Sequence, residues 1–157
     1  MDAVYSFALS PTVDTNIYAS GDNIGGLQTI DLSAFKNTKG AVILDHILVT
    51  DLAIQSANLD ILLFGSNPSA TTFTNNVAQD IADADITKII GVVPVTTHHV
   101  FADNSISRAV NLDLSFKLDP TQTTLNLYAA ILSRATPTFA ATTDLGLVLT
   151  FRAPSSW

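Results

Sequence analysis

Cysteine and glutamate are both missing from this chain of 157 residues. Without cysteine neither a disulfide nor a thiolate metal site can contribute to stability, as expected of a protein made in a reducing cytoplasm. Without glutamate, all 14 acidic residues are aspartates, so the usual cladding of exposed helices is gone and turn-forming acids take its place. Basic residues number only 7 and the net charge is −7. The basic residues stand singly, which argues against a nucleic-acid partner, because a polyphosphate needs a cluster of Lys or Arg. No apolar run is long enough for a membrane-spanning helix, so no membrane partner is expected. The opening MDAVYSFALS lacks the basic n-region of a signal peptide. The one match to the N-glycosylation spacing, Asn67-Pro68-Ser69, carries the forbidden proline.

What remains is an apolar, Thr- and Asn-rich chain, 47% hydrophobic and 13% charged, with the pattern of strands. Val110, Leu112, Leu114, Phe116 and Leu118 alternate with polar residues, as do Leu145, Leu147, Leu149 and Phe151, so Leu114 and Leu147 are expected in the core. Thr124–Arg134 reads as a strand with one apolar and one mixed face. Ala41–Thr50 and Leu59–Phe64 are apolar on both faces, which implies cover from a second sheet or a neighbouring subunit. Weaker strands are expected at Ala3–Leu9, Asn16–Ala19, Leu27–Leu32, Val92–Thr97 and Val100–Ala102, with turn residues between them. One helix is expected over about Asn76–Ile90, capped by Thr74, Asn75 or Asn76, with Asp80, Asp83 and Asp85 at its positive end, Lys88 near its negative end and Gly91 as its stop. The sum is an all-β chain, a single jelly-roll-like β-sandwich domain over residues 1–157 with one short helix.

Nothing in the pattern calls for catalysis, a metal or a cofactor. His98 and His99 are adjacent, so on a strand they point to opposite faces and cannot share an ion. His46 alternates with Leu44 and Leu48 and reads as a buried or interface residue. The stretch from Asp83 lacks the glycine and the terminal bidentate acid of a calcium loop. No nucleophile elbow presents a serine. GDNIGG (Gly21–Gly26) fits neither a dinucleotide nor a phosphate loop and reads as a flexible turn. Binding and assembly, not enzymatic activity, are the expectation.

The segment Leu62–Val95, LLFGSNPSATTFTNNVAQDIADADITKIIGVVPV, together with upstream YASGDNIGG, resembles small virion proteins of tailed bacteriophages. The shared wording is a strand ending in an apolar-aromatic pair, the loop Ser66–Phe73 and an Asp-rich segment, within a similarity running from about Tyr5 to Phe151. The resemblance implies an auxiliary capsid protein of the decoration or cement type with a jelly-roll-like fold. It implies a homo-oligomer, a trimer, on the head exterior, with the major capsid protein as partner and synthesis in the host bacterial cytoplasm. The contact to the capsid or between subunits is expected from Asn67, Pro68, Thr71, Thr72 and Phe73 in the loop and from Tyr5 and Phe7 near the N-terminus. The alternative is a tail or fibre-tip module that binds carbohydrate or a host receptor.

Overall fold

The nested pairing of strands, first with last and second with next-to-last, defines this structure. It is a computed structural model that describes residues 3–35, 41–117 and 124–153. The strands are β1 (Ala3–Leu9), β2 (Asn23–Asp31), β3 (Ala41–Asp51), β4 (Leu59–Phe64), β5 (Ile89–Val95), β6 (Thr97–Val100), β7 (Ser105–Ala109), β8 (Leu114–Lys117), β9 (Asn126–Ser133) and β10 (Leu145–Ala153). β1 pairs β10, β2 pairs β9, β3 pairs β7 and β8, and β4 pairs β5, all antiparallel. Alternate pairs go to alternate sheets. One sheet runs β1-β10-β3-β7-β6, with β8 also on β3, and the other runs β2-β9-β4-β5. That is the order an antiparallel ribbon adopts when it rolls up, closed by the β10–β3 and β9–β4 contacts, and it is a jelly roll.

The core lies between the sheets. Ile61, Leu63, Ile131, Ile47, Leu149 and Phe151 are among its fully buried side chains. A second, smaller cluster sits on the other face of the β2 sheet. There Leu62, Phe64, Ala130 and Leu132 are buried under Phe73, Ile81, Ile89 and Tyr128. The doubly apolar β4 is therefore covered by a sheet on one side and by its own connection to β5 on the other. The second doubly apolar stretch has a different cause. Between Thr150 and Phe151 the β10–β3 register skips Asp45, a bulge on β3. Val42 and Leu44 are buried before it and Ile47 and Val49 after it, so the inward phase changes parity and a half-exposed strand reads as apolar on both faces.

Several expectations change here. The helix lies within the expected span but is a single turn, α1 (Asp83–Ile86). Its N-cap is Ala82, with no side-chain cap. Asn76 has φ 56°, and the backbone around it is bonded elsewhere: Asn76 N donates to Asn23 O, Gln79 N to Gly21 O, and Asn23 N to Val77 O. With those groups tied to the β1–β2 connection, no helix can run through 76–82. Gly91 is not a helix stop. It lies in β5, where a Cβ would come within 2.6 Å of Leu114 Cδ2. Gly25 and Gly26 are not a free turn either. Both have φ 76° at a bulge in β2, and a Cβ on Gly25 would meet Pro11 Cβ at 2.4 Å.

The strand expected over Val110–Leu118 is confined to β8, because Asn111 and Asp113 have positive φ and Leu112 N donates to Asp45 O opposite the bulge; Leu118 lies outside the described residues. Leu147 is buried, whereas Leu114 is half-buried against the core edge. Asn16–Ala19 is loop, and Val100–Ala102 is the end of β6 and the turn into β7.

Candidate functional site

The loop that the sequence singles out is built around one buried charge. Leaving β4, the chain passes through Gly65–Asn67, turns at buried Pro68 and crosses the outer face of the β2 sheet. The Asp85 side chain, 0% exposed, sits beneath it. Its Oδ2 accepts from Ala70 N at 2.9 Å and Thr71 Oγ1 at 2.8 Å, and its Oδ1 accepts from Lys88 Nζ at 2.7 Å. Burial alone would raise the carboxyl pKa, but the Lys88 and Thr71 hydrogen bonds and the Lys88 charge outweigh it and hold Asp85 below its ordinary value. The expectation that Asp85 is one of several charges decorating a helix end is therefore corrected: it organises the loop. Lys88 Nζ also donates to Asn67 O at 2.8 Å, and Thr71 Oγ1 accepts from Ala82 N.

Of the expected contact residues, Asn67 and Thr72 point outward, Thr71 is half-buried on Asp85, and Phe73 packs edge-on against Phe64 at 5.8 Å. The far end of the loop is held by Asn75. Its Oδ1 accepts from Tyr18 Oη and Gly25 N, both at 2.8 Å, and its Nδ2 donates to Thr12 O. Burial pushes the Tyr18 phenol up, reinforcing its role as a neutral donor. Tyr5 and Phe7 belong to a different surface. They lie on β1, at the edge of the other sheet, where Tyr5 meets Phe35 at 4.9 Å and Phe7 meets Phe151 at 5.6 Å. Among the described residues no hydrogen bond or ring contact joins these two to the Asn67–Phe73 group.

An open cleft of about 550 Å³ lies where the loop leaves β4, lined by Ser66, Asn67, Ile90, Lys117, Asn126 and Tyr128 among others. Among the described residues no group of three His or Asp side chains could hold a metal ion. One Ser–His–Asn chain escaped the sequence reading, since its members are far apart along it. His98 Nδ1 lies 2.6 Å from Ser107 Oγ, and Nε2 lies 2.8 Å from Asn58 Oδ1. Ser107 is 2% exposed, so its oxygen is out of reach of a substrate, and the chain acts as a tie between β6, β7 and the β3–β4 connection. His99 is exposed on the opposite face, as adjacency on a strand requires. His46 is not buried; its side chain is 41% exposed, 3.6 Å from Asp45.

No protein-family profile matches the chain, and no curated protein matches it in sequence. Solved structures similar to it include the infectious bursal disease virus Gx strain, with TM-score 0.45 and 9% identity over 99% of this chain and 33% of that one. Tomato aspermy virus gives TM-score 0.44 and 10% identity over 99% of this chain and 80% of that chain. The Drosophila NLP core gives 0.39 and 10% over 99% and 100%. The chain thus spans about a third of the bursal disease virus chain it matches. At these scores and identities the likeness transfers neither function nor partner.

Proposed function

We propose that this chain is a structural protein of a tailed-phage virion, an auxiliary capsid protein of the decoration type. In this reading residues 1–157 form one domain that assembles as a symmetric trimer. It binds the major capsid protein on the outside of the head and stabilises the shell. The carrying observation is the loop over the β2 sheet. A fully buried carboxylate and an ion pair hold it in one shape, and what it presents outward is Asn67, Ser69 and Thr72, polar groups suited to hydrogen bonding with a partner surface. Contact would come through the loop that carries Asn67, Pro68, Thr71, Thr72 and Phe73, with Asn67 and Thr72 turned outward and the other three fixing its shape, while Tyr5 and Phe7 on the β1 edge would serve a contact between subunits. The acidic, basic-poor composition suits the face away from packaged DNA. The competing reading, a tail or fibre-tip module that binds carbohydrate or a host receptor, draws on the cleft, whose lining includes Asn67, Asn126 and Tyr128.

The test is reconstitution. Heads purified without the protein should take it up in multiples of three per local symmetry axis and then withstand higher temperatures. Recovery on tails alone, with binding on a glycan array that Asn126→Ala abolishes, would replace the head reading with the carbohydrate one.

A further inference from the structure

A jelly roll leaves strand edges open, and proteins guard such edges with short strands, charges, prolines or bulges. Among the described residues, all the edges but one are guarded. β6 and β8 are four residues each, and β8 ends in Lys117. β5 carries Pro94 and a register shift, and β2 carries the double-glycine bulge and ends in Asp31. β1 is the exception. Its seven residues, AVYSFAL, contain no charge, proline or glycine, and its register with β10 runs unbroken from Ala3 to Leu9. Among the described residues, nothing hydrogen-bonds to its outer backbone edge. Val4 and Tyr5 beside that edge are 59% and 42% exposed.

We infer that β1 pairs with β1 of a second copy, antiparallel about a two-fold axis at Ser6, to join the two β1 sheets into one. Unpaired backbone groups in an extended row specify a strand as the occupant. The sequence of β1 makes that strand another β1. Centred on Ser6, the register sets Tyr5 opposite the partner's Phe7, and Val4 opposite the partner's Ala8. Both aromatic pairs form at once by symmetry, and no charges meet. Tyr5, exposed although its ring meets Phe35 edge-on, is covered by that pairing. The contact does not depend on the decoration reading. It is two-fold, so alone it yields dimers.

The absence of native cysteine makes the register directly readable. Ser6→Cys, which faces its own copy, should oxidise to a disulfide-linked pair much faster than Ala8→Cys, which does not. Ser6→Lys and Ser6→Asp alone should each weaken association by roughly tenfold through like charges at the axis, and a one-to-one mixture should restore it. Circular dichroism confirms that each variant is folded. Hydrogen exchange of the unaltered chain should show β1 amides more protected as concentration rises. Equal crosslinking of Ser6→Cys and Ala8→Cys, β1 exchange independent of concentration, or folded Ser6→Lys that associates like the unaltered chain would each overturn the inference. None of these outcomes bears on whether the protein binds heads.

Discussion

Asp85 and Leu147 mark two ways a single residue holds this molecule. Leu147 is 2% exposed between the sheets, and truncation to alanine should cost about 2–5 kcal/mol, measured by chemical denaturation. The same change at half-buried Leu114 should cost less, because its neighbours can close over the gap. Asp85 acts through hydrogen bonds. Its folded-state pKa is depressed below the ordinary 3.8, so its stabilising effect is present above that value. The effect is lost as pH falls below 3.8 through the folded pKa. Acid should therefore loosen the β4–β5 connection before the sheets melt, seen as a lower hydrogen-exchange protection factor (observed rate relative to the intrinsic rate at the same pH) at Ala70. Asp85→Asn should give the same loosening at neutral pH. An Ala70 protection factor that Asp85→Asn leaves unchanged at neutral pH would remove Asp85 from this role. From sequence alone Asp85 was indistinguishable from Asp80 and Asp83, because its partners Ala70 and Thr71 arrive from a turn 15 and 14 residues away.

At the scale of elements, the sequence was most legible where one strand obeys one period. β1 and β4 occupy the expected residues, and β10 nearly so. It was least legible where a partner strand sets the pattern. Nothing in AVILDHILVT announces a bulge, so its change of phase reads as two apolar faces. β7, Ser-Ile-Ser-Arg-Ala, turns its small polar residues inward, where Ser105 and Ser107 bond with Asp51 and His98, and so lacks the signature of a buried strand. The helix expected over Asn76–Ile90 fails because Asn23 and Gly21 claim its backbone groups. The bulge makes a sharp prediction. Deleting Asp45 leaves Leu44 and Ile47 two positions apart, still on one face, so the sheet should survive with the loss of the Arg152 ion pair and the Leu112 bond. Deleting Leu48 instead turns Val49 outward and should abolish folding. Comparable melting temperatures for the two deletions would show that the parity argument is wrong.

For the whole molecule, the nesting that builds the two sheets also sets the order in which it can form. β10, the last strand, lies between β1 and β3 inside its sheet, and β9 lies between β2 and β4 inside the other. Until the C-terminal strands arrive β1 and β2 have no partner strand in their sheets, and Leu147, Leu149 and Phe151 of β10 fill the core from that interior place. Loop closure across almost the full chain must precede its reward. Refolding should therefore be slow for the chain's size, on the order of milliseconds to seconds, with no stable core before β10 pairs. A chain ending at Asp144 should remain unfolded and prone to aggregation, because β1 and β3 then expose facing edges with nothing between them. Supplying residues 145–153 as a separate peptide should recover native-like tryptic resistance, since what is missing is one strand with two antiparallel partners. A truncated chain that folds cooperatively without the peptide would mean that the β2 sheet and its covering loop carry a self-sufficient core. The interior position of β10 would then matter for assembly and not for folding.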